Sequence, residues 1–434
     1  MANRIWYFKS SNSSRASRNA KLSGKRSIDL GLSGCFLRGM RKSRWFHVSG
    51  LVPGLFLLAS FSGVDRARAI PDAPALAATN TPGHKSPDFV AGKIDSSLQL
   101  VPPSDPRFRY EGRIDNANPA GPVILWQGSR VTIDFEGSQL ALRFDCLEGQ
   151  SFFDVGVDGT KCILAIRDGN DQRFVFQPAL GRGRHRLTLF KRSEASAGTV
   201  RFRGIDLAAG ARAWLPAPPV YKLTMEFIGD SITVGACDED GDADQWDNRQ
   251  THNNALSYGA LTAAAFSADY RNIAVSGMGV VTGWVDVRAG QIWDRLYPKA
   301  SSSPADLNAW KPDVLLVNLG ENDDSYSHAR GKAFPETFAG AYVSLVHAIR
   351  KAYPSARIIL LRGGMYGGSQ SAALRDAWQT AVARLEAADP AINHFVFTHW
   401  TRNHPRVADH RAMADELIAW LRAQDFMRNH SSNH

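Results

Sequence analysis

Three reactive side chains in this sequence each follow an apolar run of the kind that forms a buried strand. Phe227-Ile228 runs into Gly229-Asp230-Ser231-Ile232-Thr233, Val317-Asn318-Leu319 into Gly320-Glu321-Asn322-Asp323, and Phe397-Thr398 leads to His404-Pro405. A hydroxyl is a weak nucleophile until a base takes its proton, and the tetrahedral oxyanion formed by its attack needs donors already aimed at it. Ser231 supplies the hydroxyl, His404 the base and Asn322 a side-chain N–H. Backbone N–H groups of Ser231 and of Gly277, in Asn272-Ile-Ala-Val-Ser-Gly-Met-Gly279, complete the oxyanion site, where small residues let the backbone approach a substrate. The chemistry this set supports is acyl transfer, and it requires no metal and no cofactor.

Other residues compete for these roles. His394 precedes a strand, His399 follows one and His410 falls inside a helix, whereas His404 stands at a helix start with Pro405 preset at the first position. The acidic loop Asp238-Glu-Asp-Gly-Asp-Ala-Asp244 lacks the glycine and glutamate spacing of a calcium-binding hand and reads as a solvated loop. Gly-x-Ser-x-Gly, the α/β-hydrolase elbow, is absent around Ser231. Trp246, Trp284, Tyr366 and Trp400 fall in or near loops, where each either packs in the core or lines the cleft.

The elements that must position these groups change character along the chain. From 107 to 212 short alternating runs, Val131–Phe135, Leu140–Phe144, Phe153–Val157, Arg186–Phe190 and Thr199–Arg203, are separated by turn signals such as Glu136-Gly137 and Asp158-Gly159. This pattern predicts a β-sandwich. Trp214-Leu-Pro-Ala-Pro-Pro219 reads as a stiff linker. From 222 to 428, apolar strands at Leu223–Ile228, Val314–Leu319, Ile358–Leu361 and Phe395–Phe397 alternate with helices at Ala255–Ala268, Pro335–Ala352, Ser371–Ala388 and Pro405–Leu421. The expected fold class is therefore α/β: an N-terminal sandwich, then a three-layer α/β/α domain with a parallel sheet. The ligand crevice of such a sheet lies at the carboxyl ends of its strands, where Ser231, Asn322 and His404 fall.

Gly229-Asp230-Ser231, Gly277, Gly320-x-Asn322-Asp323 and His404 resemble, in order, the four blocks of the SGNH (GDSL) hydrolase superfamily. The upstream sandwich, the Ser276-Gly-Met-Gly279 stretch followed by Trp284, and the Phe227–Thr233 string resemble carbohydrate esterase family 2. That resemblance implies a jelly-roll domain joined to the hydrolase, removal of acetyl groups from plant or microbial polysaccharide, and Trp284 as a substrate contact. The superfamily usually places an aspartate two or three residues before the histidine, but Arg402 and Thr401 stand there. Either a backbone carbonyl holds the imidazole, as family 2 would allow, or another acid reaches it, Asp323 and Asp409 being the nearest in sequence terms. Arg402 is expected to point outward, because a cation beside the base would oppose imidazolium formation. Two alternatives remain open: a lipase-like or thioesterase member of the class, and a glycan-binding protein with a vestigial hydrolase domain.

The formal charge of +9 does not argue for a nucleic-acid partner. Of the 51 basic and 42 acidic residues, 13 and 2 fall within 1–69, leaving 38 and 40 for the rest, a body near −2. That front segment has a basic stretch from Met40 to Arg44, an apolar run from Val48 to Phe61 and Ala67-Arg68-Ala69. It reads as a secretory signal, with Met40 the expected true start. Residues 70–106 are read as a flexible tether. The expected product is an exported protein, periplasmic or secreted, with no stable membrane insertion. Its partner is an acetylated polysaccharide or oligosaccharide. Cys146 and Cys162 lie in phase with apolar strand positions and read as core thiols.

Overall fold

A computed structural model describes residues 88–92, 97–167 and 169–431. The leader reading and the Met40 start lie outside the described residues.

An antiparallel sandwich comes first. Its organising strand, Leu140–Val157, is long enough to serve both layers. Residues Leu140–Gly149 pair with Gly198–Leu207, whereas Gln150–Val157 pair with Thr160–Arg167 and Phe153–Val157 also with Leu187–Lys191. Alternation puts Leu142, Phe144, Phe153, Val155, Leu187, Leu189 and Phe202 inside, with Cys146 and Cys162 half-buried against them. The Asp158-Gly159 turn closes its hairpin with φ of 52° and 84°, the left-handed pair that a two-residue hairpin needs.

The tether reading of 70–106 needs correction over its last part. Asp88–Ala91 pairs antiparallel with Gln172–Gln177, and Leu98–Val101 with Gly198–Ala208, so both are sandwich strands. Each is four residues long and buries a single side chain, Phe89 or Val101, which is too little for periodicity to register.

The second sheet has five parallel strands in the spatial order Ala268–Ala274, Leu223–Gly229, Val314–Asn318, Arg357–Met365, Ile392–Thr401. Four of these are the expected ones; Ala268–Ala274 is additional, and the helix expected over Ala255–Ala268 instead spans Tyr258–Ala265. The order reverses beside Leu223–Gly229, so that strand and Val314–Asn318 flank the crevice. Helices cover both faces. Phe338–Ala352 and Ala372–Ala388 bury Tyr342, Leu345, Ile349, Trp378 and Leu385 on one side, and Val407–Ala423 buries Met413, Leu417 and Leu421 on the other.

The sandwich and the parallel sheet belong to one compact unit, Asn80–His434. Val123, Leu125 and Trp126 of the sandwich side share a core with Ile228, Ile273 and Val317. Arg113 pairs with Glu226 at 3.1 Å, both side chains almost fully buried, and also donates to the Trp293 and Arg295 carbonyls. Gln127 Nε2 donates to Asn272 Oδ1 at 2.7 Å and to the Ala274 carbonyl at 2.9 Å. The first domain thus grips the strands that carry the site.

Candidate active site

Ser231 opens a one-turn helix, Ser231–Val234, directly off the carboxyl end of Leu223–Gly229. Asp230 caps it, accepting from the Ile232 N–H at 3.1 Å, and Gly235 ends it in the left-handed conformation. The helix carbonyl of Ser231 accepts from Gly235 and Ala236, so the chain turns at once toward Cys237 and Asp238. That turn meets the last helix: the Val407 N–H donates to the Asp238 carbonyl at 3.0 Å, and Arg406 Nη1 donates to the Cys237 carbonyl at 3.0 Å. His404, two residues before Arg406, is thereby held on the rim that Ser231 leaves.

The imidazole of His404 has an acid partner, and it is neither of the two expected. His404 Nδ1 lies 2.7 Å from Asp244 Oδ2, while Asp244 Oδ1 pairs with Arg406 Nη1 at 2.8 Å. Burial alone would raise the Asp244 carboxyl, but hydrogen bonds and charge from His404 and Arg406 hold it down to about 2. An ionised carboxylate only accepts, so Nδ1 carries a hydrogen, and in the neutral ring Nε2 holds the lone pair.

Asp323 is committed elsewhere, accepting from the N–H groups of Val280, Val281 and Thr282 at 2.7–2.9 Å. Asp409 accepts from the Arg406 N–H at 2.8 Å and lies 2.8 Å from His399 Nε2. Both expectations therefore fail for the same reason: each carboxylate is already engaged by a local cap or loop. Asp244 sits 160 residues before the histidine, in the loop read as merely solvated, and carries no sequence signal for this role.

The Glu321–Ala329 helix organises the opposite wall. Gly320 stands before it at φ 122°, where a side chain would also strike Leu374. From its first turn, Glu321 accepts from Gly367 and Gly368, Asp323 from the 280–282 loop, and Asp324 from the Ser371 hydroxyl. Asn322 Nδ2 donates to Asp230 Oδ2 at 3.1 Å and to the Met278 carbonyl at 3.0 Å, which places the amide between the Ser231 and Gly277 blocks. Burial, then the charges of Glu321 and Asp323, pushes the Asp230 carboxyl well above the usual range.

Gly277 adopts φ 82°, and a Cβ there would come within 3.1 Å of Trp284 Cβ. The neighbouring Ser276 N–H donates at 3.0 Å to Glu194, a fully buried sandwich residue that also pairs with Arg249.

The four aromatic residues divide. Trp284 and Tyr366 are 39% and 49% exposed. Trp284 Nε1 donates to the Ser325 hydroxyl and its ring meets Tyr326 edge-on; Tyr366 meets Trp400 edge-on at 5.9 Å. Trp246 instead lies beside the base, its ring centroid 5.6 Å from that of His404, and Arg249 covers it at 4.2 Å. Arg402 is exposed and stacks over Tyr366, consistent with its expected outward direction.

A serine at a strand end, a carboxylate-held imidazole and a buried asparagine amide on one parallel sheet define a serine hydrolase of the SGNH type. Residues 110–219 match the carbohydrate esterase 2 N-terminal family and residues 227–424 the GDSL-like lipase/acylhydrolase family. The chain belongs to carbohydrate esterase family 2.

It is similar to cellulase/esterase CelE of Acetivibrio thermocellus, 31% identical over 73% of this chain but only 39% of that protein's length. It is also similar to an acetylxylan esterase / glucomannan deacetylase of Cellvibrio japonicus, 28% identical over 76% of this chain and 94% of the relative. A family 2 carbohydrate esterase from Clostridium thermocellum, solved with cellohexaose, is 30% identical with a TM-score of 0.63, covering 73% of this chain and 98% of the other.

Proposed function

We propose that this chain removes O-acetyl groups from a polysaccharide such as xylan or glucomannan through an acyl-enzyme on Ser231. The observation that carries the reading is the His404 Nδ1–Asp244 Oδ2 hydrogen bond of 2.7 Å, on the rim that Ser231 leaves, in a chain of family 2. With Nδ1–H engaged by a carboxylate, Nε2 is the free base. It takes the Ser231 hydroxyl proton as Oγ attacks the acetyl carbonyl, and Asp244 stabilises the imidazolium that results.

The oxyanion is met by the N–H groups of Ser231 and Gly277 and by Asn322 Nδ2. The amide hydrogen now given to Asp230 is the one that turns to the oxyanion as charge develops there. His404 returns the proton to the departing sugar hydroxyl, and water then releases acetate by the same route. This chain's own residues supply each of these proton transfers without a cofactor.

Trp284, Tyr366 and Trp400 are the sugar contacts in this reading, with Trp246 packing the side of the base. The acetyl and polysaccharide assignment is supported by the Cellvibrio relative, named for acetylxylan esterase and glucomannan deacetylase. We place the enzyme outside the cytoplasm because of the signal pattern ending at Ala69. Among the described residues no helix is long and apolar enough to cross a membrane. The test is acetate release from acetylated xylan and acetylated glucomannan by the wild type and by Ser231→Ala. Release by the wild type alone supports the reading; release by neither, or equally by both, overturns it.

A further inference from the structure

Behind the base and its carboxylate lie two side chains that the hydrolytic mechanism does not use, Cys237 and His252. Ligand atoms of Cys237, Asp244 and His404 all fall within 4.8 Å of one another. His252 closes the inner side: it is fully buried, its Nε2 lies 3.5 Å from Cys237 Sγ, and its Nδ1 has no hydrogen-bond partner. A buried imidazole aimed at a thiol contributes little packing that an apolar side chain could not, and its unpaired nitrogen carries a desolvation cost. Cys237 holds φ 58°, unusual for a residue with a Cβ, and this conformation directs the turn after the Ser231 helix.

We infer that Cys237, Asp244, His404 and His252 form a site for one thiophilic divalent cation of the Zn²⁺ class, and that filling it reversibly arrests the hydrolase. One thiolate, one carboxylate and two neutral imidazoles are a donor set that Zn²⁺ takes, and their two negative charges match the ion. Zinc bonds of about 2.0–2.3 Å require Asp244 Oδ2 and His404 Nδ1, now 2.7 Å apart, to separate slightly and Cys237 and His252 to rotate toward them. The solvent-exposed side at Asp244 gives an ion its way in. Asp240 adds negative charge near the thiol, while Arg406 remains on the other oxygen of Asp244 and opposes it.

Burial, then the charges of Asp244 and Asp240, raises the Cys237 thiol, so binding must displace its proton to solvent. The arrest follows from the tautomer. A cation on Nδ1 takes the lone pair left when that nitrogen gives up its hydrogen, and the neutral ring then carries its hydrogen on Nε2, where it cannot accept one from Ser231. A cation on Nε2 instead occupies the lone pair that would accept the Ser231 proton. Either way the thiol loses one proton and the base is lost. Binding is independent of the hydrolytic reading, whereas the arrest rests on it.

The test titrates the full chain with zinc chloride during turnover of an acetyl ester, and with cobalt chloride under the spectrophotometer. Zinc is expected to inhibit the wild type, with activity restored by a chelator. Cys237→Ser, and Cys237→Ala as a second variant, should keep their turnover and need at least about tenfold more zinc, the smallest loss seen when metal-supporting contacts are removed. Cobalt should give a thiolate-to-metal charge-transfer band with the wild type and none with either variant. Equal zinc sensitivity in all three proteins, or no such band in the wild type at saturating cobalt, overturns the inference. The cobalt spectrum reads the site even if the substrate assignment fails.

Discussion

His404 Nδ1 and Asp244 Oδ2 stand 2.7 Å apart although 160 residues separate them, and Arg406 holds the other carboxylate oxygen. Asp244→Asn should lower kcat and leave KM nearly unchanged, because the amide no longer selects the working tautomer. The loss should fall short of the about 10⁴-fold seen for a deeply buried acid, since the Asp244 side chain is 27% exposed. Steady-state kinetics of the two proteins decides this.

The same carboxylate contributes to stability with a definite sign. Its folded value of about 2 lies below the ordinary 3.8, so the contribution is fully present above pH of about 4 and disappears as the pH falls through about 2. Urea unfolding should find the wild type more stable than Asp244→Asn at pH 6, with the gap closing in strong acid.

Asn322→Ala should cost about 2.7–4 kcal/mol of transition-state stabilisation, roughly 10²–10³ in kcat, if its amide is one oxyanion donor among three. Because Asn322 also bonds Asp230 and Met278, circular dichroism must accompany the kinetics. A loss of activity with the fold intact is the expected outcome.

Gly277→Ala adds a methyl at φ 82° and 3.1 Å from Trp284 Cβ. Strain of about 1–3 kcal/mol and displacement of Trp284 are expected. The readouts are a lowered Tm, a changed tryptophan emission and a reduced kcat on acetylated oligosaccharide.

His410 and His252 are buried, and burial lowers them to about 3 and about 4. Unfolded histidines titrate near 6.5, so below that pH the unfolded chain binds more protons and stability falls until the folded values are reached. Buried carboxyls Asp230, Glu321 and Asp323 are raised and act in the opposite direction. Comparing the wild type with His410→Gln isolates the histidine: the stability difference should shift in favour of the variant as pH drops from 7 to 4.

Much of this site was legible because strand ends are. Ser231 and Asn322 each follow an apolar run whose two-sided burial is written in consecutive Val, Ile, Leu and Phe residues, and His404 follows an edge strand, Ile392–Thr401, marked by the shorter run Phe395-Val-Phe397. The Ala268–Ala274 strand was not legible in that way: Asp269, Arg271 and Asn272 interrupt it, because an edge strand meets the sandwich with polar side chains such as Asn272, paired to Gln127. The Glu321–Ala329 helix lacks an apolar stripe, its first turn being spent on neighbouring loops, so no helical period marks it. Asp244 illustrates the deeper limit. In an acidic loop every carboxylate looks alike, and only the fold selects the one that meets an imidazole. Glu194 was silent likewise, a sandwich residue whose partner, the Ser276 N–H, lies 82 positions on.

The central claim is that the Ser231 hydroxyl is activated for attack on an acyl carbon. Its most direct test is labelling of the native protein by a fluorophosphonate, followed by peptide mapping and assay. A single adduct on Ser231 whose growth parallels the loss of acetate release, and no labelling of Ser231→Ala or His404→Ala, is the expected result. A fully active protein bearing the adduct on Ser231, or inactivation with the label at another residue, would contradict it.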